Sequence, residues 1–344
     1  MAAGVGLAGL SDQQLAGQRV IYSYSGRTPP ASLLARIRRG EAAGVIFFGS
    51  NISSLAQIRT VINELQQANS HSPVRAPLLM LADQEGGLVR RLPGAPVLSE
   101  KQIGQSAQDL TLARAAGTSA GRSLRRAGLN VNLAPVLDVY RRPGDFLDQF
   151  QRSYDSNPAT VSRLGSAFIT AQQNAGVAAT AKHFPGLGPA ATAQNTDLRP
   201  VTLPVPLRSL RALDEAPYPA AIAAGVRLVM VSWARYPALD ARLPAGLSAT
   251  IVQHELRQRL GFSGVTVTDA LDAGALDGFG TIPARAVLAA AAGMDLLLFS
   301  GQNVAEGATG LNGLTSALRS GKLGRPAFLA SVSRVTALRA SVGA

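Results

Sequence analysis

The chain of 344 residues contains no cysteine, only three lysines and few aromatic side chains, which make up 5% of it. Without cysteine there is no disulfide, thiolate metal site, iron–sulfur cluster or cysteine nucleophile, although the redox compartment stays undecided. No apolar run approaches the roughly 20 residues that span a bilayer, and the first ten residues lack a basic leader. We therefore expect a soluble protein, either cytoplasmic or exported after removal of a signal that this chain does not carry.

Acidic residues are also scarce, and the formal net charge is +12 at pH 7. The basic residues are spread in small groups, without the interleaved aromatic or glycine residues that are typical of sites that stack nucleic-acid bases. Nucleic acid is therefore not an expected partner. We expect the excess arginines on solvated helix faces, with some attraction to acidic polymers such as cell-wall material. The sequence does not indicate an oligomeric state.

Short apolar, β-branched segments alternate with helix-length segments along the whole chain. The predicted strands are Arg19–Tyr24, Ala43–Phe48, Pro77–Ala82, Leu129–Ala134, Gly176–Ala181, Arg227–Ser232, Gly264–Thr268 and Met294–Phe299. The predicted helices are Pro30–Arg39, Ser54–Asn69, Ala107–Ala127, Pro158–Ala175, Leu207–Ala224, Ala249–Leu260, Ile282–Ala292, Val304–Ser320 and Arg325–Ser341.

Eight such strand–helix units favour a (β/α)₈ barrel of the TIM type over an open doubly wound sheet. No glycine-rich phosphate motif follows the first strand, which further disfavours a dinucleotide-binding fold. No linker or internal repeat divides the chain. We therefore predict one domain over residues 1–344, with residues 1–14 loosely ordered.

Polar side chains follow five of the predicted strands, at the barrel face where the carboxyl ends of strands meet. The segments are Asp83–Gly87, Pro135–Asp138, Lys182–Gly186, Trp233–Arg235 and Asp269, after strands three to seven. Carboxylates, a lysine and a histidine would thus face one another across the mouth of the barrel.

Each of these residues also has a structural interpretation. Asp269 could cap the next helix and Asp83 could belong to a turn. Lys182 could be an exposed charge and His183 a histidine satisfied within the core. Trp233 either stacks on a sugar or plugs the barrel rim. Two further histidines, His71 and His254, are interpreted as structural.

Considered together, these strand ends suit a polyhydroxylated ligand, whose hydroxyl groups need many fixed donors and acceptors. The sequence shows no metal-ligand spacing, nucleophile elbow or phosphate loop, so no metal or organic cofactor is expected. A carboxylate nucleophile acting on a glycoside fits best. The carboxylate attacks the anomeric carbon, and water or another acceptor releases the glycosyl-enzyme intermediate.

Five motifs resemble those of glycoside hydrolase family 3, and within it the single-domain β-N-acetylhexosaminidases that act on N-acetylglucosaminides of cell-wall fragments. The matching segments are Asp83–Leu92 (DQEGG-x-V-x-R-L), Leu129–Asp138 (N-x-A-P-V-x-D), Arg152–Tyr154 (R-S-F in the family), Lys182–Gly188 (K-H-F-P-G-x-G) and Gly264–Leu271, around the nucleophile. The resemblance extends from about Leu15 to Arg339. It implies that Asp269 is the nucleophile. It also implies that the sugar is bound by Asp83, Arg91, Arg152, Lys182 and His183.

One segment departs from the family pattern. The family loop reads K-H-F-P-G-H-G-x-x-x-x-D-S-H, and its final Asp and His donate a proton to the leaving oxygen. Here Leu187 stands where that pattern has its second histidine, and Ala193 and Asn195 occupy the positions of the final Asp and His. Neither side chain can act as a general acid. Asp197, the only carboxylate on this loop, is the candidate acid/base, with a turn or capping residue before Pro200 as its alternative.

Three functions follow from these residues. The first is a retaining β-glycosidase of the N-acetylhexosaminidase type. The second is a carbohydrate-binding protein with a vestigial active site, which keeps Asp83, Arg91, Lys182 and His183 without turnover. The third is a glycosidase-like phosphorylase or transferase, in which an anionic acceptor replaces water. The true substrate and the leaving group are left open.

Overall fold

The computed structural model describes residue 7 and residues 9–342, and within this part eight parallel strands close into a barrel. The barrel strands are β1 (Val20–Tyr22), β2 (Gly44–Ile46), β3 (Leu79–Ala82), β6 (Val131–Asn132), β7 (Ala178–Phe184), β8 (Leu228–Val231), β9 (Val265–Ala270) and β10 (Leu296–Leu298). Their order around the barrel is β1-β10-β9-β8-β7-β6-β3-β2. Each lies within or overlaps one of the eight predicted strands, and the predicted (β/α)₈ barrel is confirmed.

A short antiparallel hairpin, β4 (Gln84–Gly86) and β5 (Val89–Arg90), follows β3 directly. The α-helices are α1 (Asp12–Gly17), α2 (Ala31–Arg38), α3 (Leu55–Ser70), α4 (Glu100–Gly104), α5 (Asp109–Ala127), α6 (Pro158–Asn174), α7 (Leu207–Ser209), α8 (Pro217–Ala223), α9 (Ile282–Ala292), α10 (Val304–Arg319) and α11 (Arg325–Ser341). Short 3₁₀ helices are Gly49–Asn51, Asp148–Phe150, Ala245–Leu247 and Gly274–Phe279.

Two predicted helices differ from the observed ones in type. The predicted helix 207–224 is divided into α7, a π-helix at Leu210–Asp214 and α8, because Pro217 cannot donate an internal hydrogen bond and starts a new helix instead. The predicted helix 249–260 is a π-helix over Thr250–Arg259. Residue periodicity does not distinguish these wider helices from α-helices.

The prediction that residues 1–14 are loosely ordered is wrong for the last three of them. Residues 12–14 belong to α1, whose first turn is capped by Ser11, with its hydroxyl accepting from the Gln14 amide. Because that hydroxyl pairs a backbone donor that a helix start leaves free, the cap stabilises the helix locally. Residues 1–6 and 8 lie outside the described residues.

Side chains along each strand point alternately into the barrel and out toward the helices, which divides the core into two layers. In β3, Leu79 and Leu81 point into the barrel, where Ile21, Leu133 and Met230 meet them. The residues between them on the strand, Met80 and Ala82, pack outward against the helices. Because the inward-pointing side chains fill the interior of the barrel, space for a ligand is found at the carboxyl ends of the strands. Among the described residues, no helix has the length and apolarity needed to cross a membrane.

Candidate active site

A cavity of about 300 Å³ lies at the carboxyl ends of the barrel strands. The sequence-predicted residues that line it are Asp83, Arg91, Arg152, Lys182, His183, Asp197 and Asp269. Asp83 directly follows β3 and Arg91 directly follows the hairpin, Lys182 and His183 belong to β7, and Asp269 belongs to β9. Arg152 and Asp197 lie on two loops, so distant segments of the chain converge here. The volume is at the small end of the range for ligand pockets, which suits a single small polar group such as one sugar ring.

Lys182 lies at the centre of an ion-pair network on the cavity floor. Its Nζ is 2.8 Å from Asp83 Oδ1 and 2.7 Å from Glu85 Oε1, and the residue is only 2% exposed. The interpretation of Lys182 as an exposed charge is therefore wrong. Burial opposes its charge, but Asp83 and Glu85 outweigh that effect and raise the pKa of Lys182 above its usual value.

Asp83 is held in its charged form by the same network. Burial favours its neutral form, but Lys182 and then Arg91, whose Nη2 lies 3.5 Å from Asp83 Oδ2, hold the pKa of Asp83 well below its ordinary range. Asp83 is thus a fixed acceptor at neutral pH, and a vicinal pair of sugar hydroxyls is the kind of donor that a carboxylate binds.

Glu85 is a member of this network that the sequence analysis did not single out. Its carboxylate accepts two hydrogen bonds from Arg152, at 2.9 and 2.8 Å, in addition to the contact with Lys182. Burial opposes its ionisation, but Arg152 and Lys182 together lower its pKa. Its place two residues after Asp83 in the Asp83–Gly87 motif was the available signal. Glu85 fixes the direction in which Arg152 and Lys182 point.

His183 is oriented by Asp138, which lies on the loop after the fourth barrel strand, β6. His183 Nδ1 lies 2.7 Å from Asp138 Oδ2, and because the carboxylate accepts, Nδ1 carries the proton. Asp138 also accepts from the backbone N–H of Leu187, at 2.5 Å. This pairing leaves Nε2 as the nitrogen of His183 that can meet a ligand. Asp138 was noted as a strand-end residue, but its role as a partner of His183 was not predicted.

Asp269 stands near the end of β9 and lines the cavity, half-buried. Its Oδ1 accepts from the N–H of Ala270 at 2.8 Å, which restricts the rotation of the carboxylate. The next helical turn is flanked by Ala273 rather than by Asp269. The alternative in which Asp269 caps that helix is therefore wrong.

Trp233 lies outside the lining of this cavity, so the prediction that it binds substrate by stacking is corrected. The side chain is 1% exposed and packs beside Gly246, where an added Cβ would lie 2.5 Å from the indole ring. Its Nε1 donates to the Ala270 carbonyl at 2.7 Å. The residue is the plug at the barrel rim, and it holds the backbone next to Asp269.

Asp197 lines the cavity together with Asp269, on a loop held in place by backbone hydrogen bonds. The Asn195 side chain accepts from the Asp197 N–H at 2.8 Å, forming an Asx turn. The carbonyls of Thr196 and Asp197 accept from Ala275 and Gly274 at 3.0 and 2.8 Å. The turn role that was the alternative for Asp197 therefore belongs to Asn195.

The pKa of Asp197 is raised to about 6, first by desolvation in the cleft and then by the negative charge of Asp269, against a smaller opposing effect of His183. The side chain remains accessible to solvent at the same time. A carboxyl group that keeps its proton up to about pH 6 beside an accessible cavity can both give and take a proton near neutral pH.

The two histidines that were interpreted as structural lie outside this cavity. His71 is exposed at the end of α3, and His254 is exposed on the π-helix, where its ring contacts Gln258. Among the described residues, no cluster of three or more histidine or carboxylate side chains is arranged to hold a metal ion. The chemistry of the cavity is that of carboxylates and fixed hydrogen-bond donors.

Comparison with known proteins finds matches over nearly the whole chain. Residues 18–338 match the model of the glycosyl hydrolase family 3 N terminal domain. The chain is 45% identical over 331 residues to a protein of Arthroderma benhamiae described as an uncharacterized secreted glycosyl hydrolase, with 96% of this chain and 93% of that protein covered.

Two solved structures closely resemble the structure of this chain. A glycoside hydrolase family 3 β-N-acetylglucosaminidase from Paenibacillus sp. is 35% identical with a TM-score of 0.90, and the match covers 97% of this chain but only 64% of that chain. A β-N-acetylhexosaminidase from Beutenbergia cavernae is 29% identical with a TM-score of 0.86, covering 98% of this chain and 100% of that chain. The family match over residues 18–338 includes every strand that lines the cavity.

Proposed function

Because the chain belongs to glycosyl hydrolase family 3, we propose that it is a retaining β-glycosidase of the β-N-acetylhexosaminidase type, with Asp269 as nucleophile and Asp197 as acid/base. The single observation that carries the proposal is that Asp197, with its raised pKa, and Asp269 line one cavity beside the Lys182 network. The acetamido preference is supported by the names of the relatives from Paenibacillus and Beutenbergia. Terminal N-acetylglucosaminides are the proposed substrates.

In the first step, a carboxylate oxygen of Asp269 forms a bond to the anomeric carbon while the bond to the leaving oxygen breaks. Asp197 gives its proton to that oxygen, so the aglycone leaves as an alcohol. In the second step, Asp197 takes a proton from water, the water oxygen bonds to the anomeric carbon, and the Asp269 carboxylate is released. Asp83, Arg91, Arg152, Lys182 and His183 bind the sugar during both steps.

Asp197 takes the place of the proton-donating pair of the family loop in this proposal. Ala193 and Asn195 occupy the positions of that pair, and neither transfers a proton. Asn195 instead fixes Asp197 through the Asx turn. Leu187, buried in the cavity wall, adds an apolar surface that contributes to the desolvation of the cleft.

The test compares an aryl β-N-acetylglucosaminide, which has a good leaving group, with the unactivated disaccharide diacetylchitobiose. We expect Asp269→Asn to abolish turnover of both. We expect Asp197→Asn to lower kcat/KM for the disaccharide by about 10²–10⁴-fold, and for the aryl substrate far less, since an aryl leaving group needs little protonation. Asp277→Asn, which changes a carboxylate side chain that is 71% exposed, is the matched control and should leave both rates unchanged.

The pH profile supplies a second readout. Because Asp197 must start protonated and its pKa is about 6, kcat/KM for the disaccharide should fall as the pH rises through about 6. Asp197→Asn should remove this limb. If Asp197→Asn left kcat/KM for the disaccharide unchanged, together with its fall at rising pH, another group would be the acid.

Two other results would replace the proposal. Calorimetric binding of N-acetylglucosaminides without turnover of either substrate identifies a carbohydrate-binding protein. Stimulation by inorganic phosphate, with a sugar phosphate as the product, identifies a phosphorylase. Turnover that survives in Asp269→Asn would exclude Asp269 as the nucleophile.

A further inference from the structure

A large concavity lies on the outside of the barrel rather than at the catalytic face. It is a groove of about 1060 Å³ between α5, α6 and the end of α8. Four arginines line it: Arg114, Arg122 and Arg125 on α5, and Arg163 on α6. We call this surface the arginine groove. None of its lining residues lines the catalytic cavity.

The floor of the arginine groove is made of small side chains because the two long helices approach each other closely. At Gly117 of α5, an added Cβ would lie 2.4 Å from the Phe168 carbonyl of α6, and at Gly121 it would lie 2.7 Å from Ala175 Cβ. The lining includes Ala167 and Ala171 but no aromatic side chain. The groove follows α5 from Leu110 to Arg125, a length of about 22 Å at the rise of an α-helix.

The positive charge of the arginine groove is mostly uncompensated. Arg163 is paired with Asp109, at 2.5 and 3.0 Å. Arg114, Arg122 and Arg125 are exposed and form no ion pair within the described residues, and the groove lining contains no carboxylate. Their spacing of eight and three residues places all three on one face of α5.

The charge continues beyond the groove. Arg125 also lines an adjoining depression of about 610 Å³, whose lining includes Arg75. A linear ligand could therefore contact cations at intervals from Arg114 to Arg75. Such a row of fixed guanidinium groups attracts a polyanion, and each group can form paired hydrogen bonds with a carboxylate or a phosphate.

We propose that the arginine groove binds an anionic polysaccharide, a chain of sugars that carry carboxylate or phosphate groups. The acidic groups would pair with Arg114, Arg122 and Arg125, and the sugar rings would lie on the alanine-rich floor. The absence of aromatic side chains from the lining disfavours nucleic acid, whose bases stack on aromatic rings. The proposal does not rest on the proposed glycosidase activity, because the groove and the cavity share no residue.

The experiment is isothermal titration calorimetry with three probes: oligogalacturonate, which carries carboxylates, poly(glycerol phosphate), which carries phosphates, and a neutral dextran. The test variant is R114Q/R122Q/R125Q. The matched control is R38Q/R59Q/R208Q, which removes the same charge from exposed arginines of α2, α3 and α7 that line neither groove nor cavity.

We expect the wild type to bind at least one of the two anionic probes, with an affinity that falls as the salt concentration rises. It should not bind dextran. The groove variant should bind the anionic probe about tenfold or more weakly, and the control variant should bind it nearly as well as the wild type. Comparison of the two anionic probes identifies carboxylate or phosphate as the ligand group. Both variants should hydrolyse the aryl glycoside at the wild-type rate, so a failure here is separate from a failure of the proposed function.

Three results would overturn the proposal. Equal weakening in the two variants would assign the binding to net charge alone. If the wild type bound neither anionic probe, the groove would not be a site for anionic polysaccharides. Binding of a single-stranded oligonucleotide as tightly as the polysaccharides, lost in the groove variant, would make it a nucleic-acid site.

Discussion

The hydrogen bond from the Trp233 indole to the Ala270 carbonyl fixes the backbone beside the proposed nucleophile. Trp233→Phe keeps most of the buried ring and removes the donor. Because Asp269 then loses part of its support, we expect kcat for the aryl substrate to fall about tenfold with KM unchanged. The Ala270 carbonyl still accepts from the Ala273 N–H at 3.2 Å, so loss of the indole donor should cost only about 0.5–1.5 kcal/mol of unfolding free energy. Steady-state kinetics and urea denaturation measure the two effects.

Thr336→Val is the control for Trp233→Phe. It removes a buried hydrogen bond to the Val332 carbonyl within α11, far from the catalytic face. It should lower stability and leave kcat unchanged. A change in KM alone in Trp233→Phe would mean that the indole acts on the substrate and not on Asp269.

Sequence motifs located most of the residues of the cavity, because chemistry restricts the residue types at strand ends. They could not decide between the two interpretations of Trp233, since stacking on a sugar and filling the rim both need a large aromatic ring. The structure decides through burial. Glu85 and Asp138 were not assigned roles because each acts by contacting another side chain, Arg152 or His183, that is distant in the sequence.

At the scale of elements, the loop that carries Asp197 depends on the 3₁₀ helix Gly274–Phe279 that follows β9. At Gly274, an added Cβ would lie 2.4 Å from the Leu198 carbonyl. Gly274→Ala should therefore push this loop away, lower stability by about 1–3 kcal/mol and reduce disaccharide hydrolysis much more than aryl glycoside hydrolysis. Kinetics on both substrates and thermal unfolding give the measurement.

Gly278→Ala is the matched control in the same 3₁₀ helix, since an added Cβ there meets nothing within 4 Å. It should leave activity on both substrates unchanged. If Gly274→Ala lowered the two activities equally, the loop would not act through leaving-group protonation.

The element positions were predictable because alternating apolar segments and helix-length segments determine where strands and helices begin. The contact between the Asp197 loop and Gly274 was not, because it joins segments more than 70 residues apart through backbone atoms. Backbone hydrogen bonds of this kind leave no side-chain signature except a glycine.

At the scale of the whole molecule, Arg339 of α11 ties the last helix to the amino-terminal end of the barrel. It is fully buried, and it donates to the carbonyls of Pro77 and Ala76 at 2.7 Å and to the side chain of Gln18. Arg339→Met should lower the free energy of unfolding by about 2–4 kcal/mol, since it leaves the Pro77 carbonyl and the Gln18 side-chain oxygen unpaired, while the Ala76 carbonyl keeps the Asn69 side chain as a donor.

The control for Arg339→Met is Arg319→Met, at a side chain that is 62% exposed, where we expect a change within about 0.5 kcal/mol. Urea denaturation of both variants provides the comparison. Equal stability of Arg339→Met and the wild type would show that solvent replaces the lost donors.

The barrel was predictable from the sequence as a count of eight repeating units. The distribution of the positive charge was not. The sequence analysis placed the excess arginines on solvated helix faces, and Arg114, Arg122 and Arg125 do lie on such a face. The position of Arg163 across from them depends on how α5 and α6 pack, which the sequence pattern does not give.

The backbone hydrogen bonds from Gly274 and Ala275 to the Asp197 loop have a consequence for recombination among homologues. A single crossover between residues 200 and 268 takes the two proposed catalytic carboxylates from different parents. Such a chimaera places the loop of one parent against the 3₁₀ helix of the other. Libraries that exchange residues 193–199 and 269–279 as one block should therefore contain more active offspring than libraries that exchange either segment alone.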